Sequence, residues 1–245
     1  MCKWIVAIGI VCLLPLVSYA AMSSTDYKIV IDSVNMGGDQ STSTSYSLQD
    51  TAGEIATGNA SSTNYAMNAG YQQMYTSYIS ISSPGSNSLP SINGLTGGIA
   101  TSTIPTLVIT DNPAGYSLSV QASSSPALRD PAGASFADYT PSGGSPDFSF
   151  SIANSASAFG FSVVSPDVIS RYDNNSSACN TGSTNTAFTC WDGFSTSSKV
   201  IAQSSASNQP NGATTTIDVE AKIGSTRVQD SGSYSATLTL TAITL

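Results

Sequence analysis

Along most of this chain apolar and polar side chains alternate with a period of two, the pattern of a half-buried β-strand. Tyr27, Ile29 and Ile31 alternate with Lys28, Val30 and Asp32; Tyr46 and Leu48 alternate with Ser47 and Gln49; Tyr65 and Met67 alternate with Ala66 and Asn68. Further strands are expected at 106–110, 116–121, 147–152, 159–164, 200–203, 214–222 and 234–244. Between them stand clusters of turn formers: Asn112 to Gly115, Pro131 to Gly133, Pro141 to Gly144, Asn211-Gly212 and Ser231-Gly232. No window keeps a helical period for three turns. The expectation is an all-β chain: an Ig-like β-sandwich over 99–245, preceded by a short repeated β-strand segment over 21–81. Residues 82–98, rich in Ser, Gly and Pro, read as a linker or loop.

The last run is the most regular. Tyr234, Ala236, Leu238, Leu240 and Ala242 fall on one face, and Ser235, Thr237, Thr239, Thr241 and Ile243 on the other. Threonine keeps β-propensity on a solvated face, so the first set is expected to point into the core. Near the other end, Ser24-Thr25-Asp26-Tyr27, Ser43-Thr44-Ser45-Tyr46 and Ser62-Thr63-Asn64-Tyr65 recur with a spacing of 19 residues. Each repeat reads as a strand, a glycine turn and a polar connector. A single unit of this size cannot bury its own face, so the units are expected to pair with one another or with the following domain.

Residues 1–20 read as a signal peptide. Lys3 gives the basic start, 4–17 the apolar stretch, and Ser18-Tyr19-Ala20 the small residues before cleavage at Ala20 or Ala21. No second apolar stretch of membrane length follows, so no transmembrane segment is expected after cleavage, and the setting is secreted or extracellular at the cell surface. Cleavage leaves two cysteines, Cys179 and Cys190. In an exported protein such a pair reads as a disulfide, worth roughly 3 kcal/mol in the chain-entropy model for so short a loop.

The net charge is -8 and the chain has no histidine. That excludes a Ser-His-Asp triad, a Cys-His dyad and imidazole metal sites. The acidic balance argues against a nucleic-acid partner. No cofactor is expected, and two cysteines without histidine make a poor metal site.

The run from Tyr46-Ser-Leu-Gln-Asp-Thr-Ala-Gly53-Glu54 through Gly58, Ser62 to Tyr65 and Gly70-Tyr71 resembles a recurring N-terminal segment of exported bacterial surface proteins. The match spans roughly 23–75; Tyr71 replaces the commoner Phe, and the Trp that usually follows is missing. The closing stretch from Gly232 to Ala242 resembles the last strand of pilin-like, spore-coat-like and WxL-type surface domains. Both resemblances imply a cell-surface setting, and neither carries catalytic residues.

Trp191 follows Cys190 directly, with Tyr172, Phe194 and Asp192 close in sequence. Aromatic rings beside carboxylates and amides are what a sugar-binding face uses, and a buried structural tryptophan is the competing reading. Asp173-Asn174-Asn175 reads as a polar turn rather than a calcium loop. A hydrolase would need two converging carboxylates, and no spacing marks such a pair. The leading expectation is a non-catalytic structural or adhesive surface protein. Its partner would be itself, with Tyr27, Ile29 and Ile31 forming a strand that adds to a neighbour's edge. The alternative is a carbohydrate-binding module that reads cell-surface glycans through Trp191 and the 179–190 loop.

Overall fold

The computed structural model describes residues 77–245 and, before them, the strand residues 40–42, 47–49, 58–61 and 66–69. The expected signal peptide and the assembly strand with Tyr27, Ile29 and Ile31 lie outside the described residues. The chain divides into two units, 1–76 and 77–245.

The first unit holds two hairpins. Strand β1 (Gln40–Thr42) pairs antiparallel with β2 (Ser47–Gln49), Gln40 opposite Gln49 and Thr42 opposite Ser47. Strand β3 (Gly58–Ser61) pairs with β4 (Ala66–Ala69), Asn59 opposite Asn68 and Ser61 opposite Ala66. Moving every residue of the first hairpin forward by the 19-residue spacing of the tyrosines gives the register of the second. What repeats is therefore a hairpin, with the Ser-Thr-x-Tyr quartet between its arms. The expected unit of strand, glycine turn and connector is corrected in this respect. Gly58, expected in a glycine turn, instead opens β3 opposite Ala69.

The second unit is a β-sandwich. One sheet has the order β10 (Asp192–Gly193), β9 (Ser157–Val164), β12 (Ala213–Ile223), β6 (Gly98–Thr110), β5 (Ile79–Ser82); β8 (Ala137–Asp138) joins β9 in parallel. The other sheet has the order β11 (Lys199–Ser204), β7 (Tyr116–Ala122), β13 (Leu238–Thr244). Alternation decides which side chains face inward. Leu118 and Val120 from one sheet meet Val108, Phe161, Val163, Ile217 and Val219 from the other, all buried. Among the described residues the one helical element is a 3-10 turn, Ser170–Tyr172, and no helix is long and apolar enough to cross a membrane.

Three expectations shift. Residues 98–105 continue the strand expected at 106–110, because they pair with β12 along its whole length. Residues 147–152 are not a strand. Phe150 and Ile152 instead pack on the outer face of β9 with Tyr139, Ala158 and Trp191. Residues 83–97 lie outside the named strands, as their composition suggests, yet they do not separate two bodies. Strand β5 before them pairs with β6, Leu89 and Ile92 pack on the core, and Asn87 donates to the Thr103 carbonyl at 2.8 Å.

Strand β9 is buried on both faces. Phe159, Phe161 and Val163 point into the sandwich, and Ala158, Gly160 and Ser162 point outward under a second apolar cluster. That close approach requires glycine at 160. A Cβ there would meet the Tyr139 Cβ at 2.7 Å and the Asp192 carbonyl at 2.8 Å. The outer cover brings the candidate site into being, because it turns part of a solvated sheet face into an interior.

Candidate functional site

The segment 174–191 brings Trp191 and Phe188 to the outer cover that Tyr139, Phe150 and Ile152 complete, and its backbone is strained. Among the described residues, Ser176, Asn180, Phe188 and Cys190 are the non-glycine residues at positive φ, and all four lie in it. Left-handed backbone at such residues costs roughly 1–2 kcal/mol each, so it persists only where the surroundings hold it. The restraints are visible. Cys179 and Cys190 form the expected disulfide, with Cα atoms 5.5 Å apart. The Asn174 N–H donates to the Thr184 carbonyl at 2.7 Å, and Asn175 Oδ1 accepts the Ala178 N–H, so the polar turn lies at 175–178, just beyond the expected 173–175, while Asn174 is bridged to Cys179 and Thr184. Phe188 is held from both sides. Its N–H donates to Asp218 Oδ2 at 3.0 Å, and its carbonyl accepts the Trp191 indole N–H at 3.0 Å.

Trp191 is 2% exposed, packed edge-on against Phe150 and beside Phe188. Tyr172 and Phe194 are buried too, but on the other side of β9: both pack against Phe161 inside the sandwich. The stacking face expected from Trp191, Tyr172 and Phe194 is therefore corrected. The three rings do not share a surface, and none is open to a flat sugar ring. Trp191 does not plug the space between the sheets either. It anchors a separate cluster outside them.

Asp192 is the centre of an ion cluster. Arg171 donates to Oδ2 through Nε at 3.1 Å and Nη2 at 2.9 Å, and Lys199 donates to Oδ1 at 2.9 Å. The Tyr172 hydroxyl donates to Oδ2 at 3.3 Å, and the Gly193 N–H to Oδ1 at 2.8 Å. Lys199 also reaches the Gly193 carbonyl at 2.7 Å and Arg171 the Gly144 carbonyl at 3.3 Å, so the cluster ties three segments together. Burial alone would raise the Asp192 pKa. Lys199 and then Arg171 outweigh it and hold the carboxyl below the usual carboxylate range. The Tyr172 hydroxyl is pushed up by burial and by the neighbouring Asp192 charge. A carboxylate so firmly ionised is a poor proton donor, and its two cations are occupied.

Asp218 and Glu220 went unremarked in the sequence. They lie two residues apart on the outward face of β12, roughly 7 Å from each other by strand geometry. Opposite them on β9 stand Ser162 and Gly160. Asp218 is 1% exposed and Glu220 8%. Burial raises the pKa of both. For Asp218 the Phe188 N–H and Ser162 lower it in part; for Glu220 the charge of Lys222 does so. The Ser162 hydroxyl faces Asp218 without a well-formed hydrogen bond. Beyond this pair the outward face of β6 is open, with Thr101, Thr103 and Pro105 exposed. Phe188, whose N–H bonds to Asp218, is 43% exposed. The signal was present in Thr-Ile-Asp-Val-Glu-Ala-Lys, where alternation puts both acids on one face. What was missing was any sign that a distant loop would cover them.

A groove of about 780 Å³ opens at the ends of β6 and β12, floored by Ala100, Leu128, Phe136 and Ile223 and rimmed by Leu95 and Val228. Its back wall is a polar knot. Gln229 accepts from Ser157 Oγ at 2.8 Å and donates to the Tyr234 hydroxyl at 2.8 Å. Compared with known proteins, the chain matches no family model, no curated protein and no solved structure.

Proposed function

We propose that this chain is an exported, non-catalytic β-protein of the bacterial cell surface with a structural or adhesive role. The observation that best supports this reading is where its reactive side chains go. Asp192, Arg171, Lys199 and Tyr172 close on one another, and Asp218 holds the Phe188 backbone. These groups maintain a disulfide-closed exterior: a recess of about 340 Å³ opens beside Asp192 and Lys199, but the two are already paired with each other there. A disulfide also suits an oxidising compartment. Assembly proceeds by strand addition, with Tyr27, Ile29 and Ile31 on the added strand. The test is light scattering on residues 22–245, produced under oxidising conditions, over a range of concentrations. Growth to large species, suppressed by deleting 22–34, is the expected result; growth that survives this deletion overturns the role of that strand.

Adhesion to cell-surface glycans is the second reading, and the observation favouring it is Phe188. Its ring is exposed on the residue whose N–H bonds to Asp218, whereas Trp191 is enclosed. In a glycan screen Phe188→Ala is expected to lose binding with thermal unfolding unchanged. Binding that survives this substitution removes the reading.

A further inference from the structure

We propose that the free edge of β13 is a homotypic docking edge, at which a second copy of this chain pairs its own β13 antiparallel across a two-fold axis. The inference rests on the structural reading above, but on a surface that reading does not use. The argument begins with the hydrogen bonds. Ser123 N–H donates to the Thr237 carbonyl at 3.0 Å and Leu245 N–H to the Gly115 carbonyl at 3.2 Å. Along an antiparallel ladder the direction of N–H and C=O alternates. The odd-numbered residues of β13 therefore bond to β7, and Leu238, Leu240, Ala242 and Thr244 direct their N–H and C=O groups away from it. Among the described residues β13 pairs with β7 alone.

Exposed edges are normally blunted by brevity, charge, proline, bulges or a covering segment. The other edges of this sandwich follow that rule. Strand β5 has four residues and β10 has two. Strand β11 starts at Lys199 and has a bulge between Val200 and Ala202, and its far side is covered where Gln203 N–H donates to the Asp167 carbonyl at 2.7 Å. Strand β13 is neither short nor charged nor bulged, and β5 of the other sheet approaches it without pairing with it. Strand β13 runs for seven residues, Leu-Thr-Leu-Thr-Ala-Ile-Thr, without a charge, a proline or a glycine.

The occupant follows from self-complementarity. In a chain of net charge -8, two copies repel each other over most of their surfaces. Across β11, β7 and β13 the one charged residue is Lys199, and Asp192 neutralises it. This sheet can therefore meet a second copy without like-charge repulsion. With the axis at Leu240, the Leu238 side chain stands opposite the partner's Ala242, and Thr239 stands opposite the partner's Thr241. Apolar side chains then meet on the inner face and threonines on the outer, both favourable cross-strand pairings. The inner face has room. A groove of about 410 Å³, lined by Leu238, Leu240, Ile104 and Val219, runs beneath the edge. The product is a continuous six-stranded sheet with an isologous interface.

Two variants of residues 22–245 test this without touching the ladder to β7. Thr239→Lys with Thr241→Lys places lysines directly opposite one another across the axis, on side chains that are exposed. Ala242→Pro removes one outward N–H that β7 does not use. In light scattering the parent is expected to grow beyond a dimer through its N-terminal strand; once 22–34 are deleted it is expected at double the monomer mass, both variants carrying the same deletion at the monomer mass over the same concentrations, and all three with the same thermal unfolding. A parent that stays monomeric throughout overturns the proposal, as does a dimer that survives both variants or is lost with 22–34. Assembly that persists in both variants sinks the edge but spares the structural reading, whereas a parent that never associates counts against both.

Discussion

Asp192 and Asp218 hold the two ends of the short stretch 188–192, the first from within it just after Trp191 and the second from β12, where it accepts the Phe188 N–H. Both are almost fully buried. Their electrostatic states are nevertheless opposite. Asp192 receives two cations and a tyrosine hydroxyl, and its pKa falls. Asp218 receives one backbone N–H and faces a serine hydroxyl, and its pKa rises, with Glu220 beside it shifted the same way. Burial is the common factor, so the partners decide the sign. The two regions also serve the loop differently. The Asp192 cluster joins segments that are distant in sequence, whereas Asp218 restrains a single strained residue at the cost of an unneutralised charge.

The most severe way to break the contrast is Asp192→Ala. It leaves Arg171 and Lys199, each about a third exposed, without a counter-charge, and the buried Tyr172 hydroxyl and Gly193 N–H without an acceptor. Together these losses cost on the order of 3 kcal/mol. Urea unfolding at pH 7 measures it. Because the folded pKa is depressed, this stability is present above the unfolded carboxylate pKa of about 4 and is lost as pH falls through the folded value. The gap between parent and variant is therefore expected to close in acid. A gap that persists there would mean that packing, not charge, made the difference.

Replacing Cys179 and Cys190 by serine sharpens the comparison. The loop is short, so the expected loss is roughly 2–3 kcal/mol. More informative is its distribution. The loop supplies the cover over Asp218, and loosening it should return the Asp218 pKa toward normal. Asp192 draws its partners from the 3-10 turn and β11, and its pKa should stay low. Carboxyl titration by NMR separates the two; equal movement of both would show that they form one unit.

Much of the sandwich could be read from alternation, because β7, β9, β12 and β13 each have a face made by the two sheets alone. Tyr234 to Ala242 fell on the inner side as expected. The errors have one cause. Phe150 and Ile152 alternate like strand residues, yet they cover Gly160 as an irregular segment; spacing registers a buried side but not what buries it. Leu89 and Ile92 were hidden among turn formers for the same reason. Trp191 was singled out, but which face of the sheet it covers depends on where 139–152 folds. Asp218 and Glu220 stood on the polar side of a legible strand, and nothing local marks a polar side that a remote loop will close. The disulfide was legible from the short spacing of the two cysteines.

Asp218→Asn probes the raised carboxylate. Asparagine keeps an acceptor for the Phe188 N–H and removes the charge, so stability at pH 7 should rise by about 1 kcal/mol. A carboxyl whose folded pKa is raised stabilises the fold below its unfolded pKa, and that contribution is lost as pH rises through the folded value. The advantage of the variant should accordingly grow from pH 4 to pH 7, opposite in direction to the Asp192 case. A loss of stability at pH 7 would mean that the charge itself is needed to hold Phe188.

The smallest effect is expected at Glu220→Gln. Glu220 shares the face and the burial of Asp218, but Lys222 lies two residues on along the same face, and its charge offsets part of the desolvation. Lys222 is itself directed to the Phe150 carbonyl at 3.2 Å, so it is fixed where it can act. Removing the Glu220 charge relieves a smaller penalty and strips Lys222 of its neighbour, which leaves a gain of a few tenths of a kcal/mol. The double variant Glu220→Gln with Lys222→Met isolates the offset. If Lys222 is what makes Glu220 differ from Asp218, then the effect of Glu220→Gln measured in the Lys222→Met background should rise to that of Asp218→Asn. An unchanged effect would assign the difference to Glu220's slightly greater contact with water, and the comparison would reduce to burial after all.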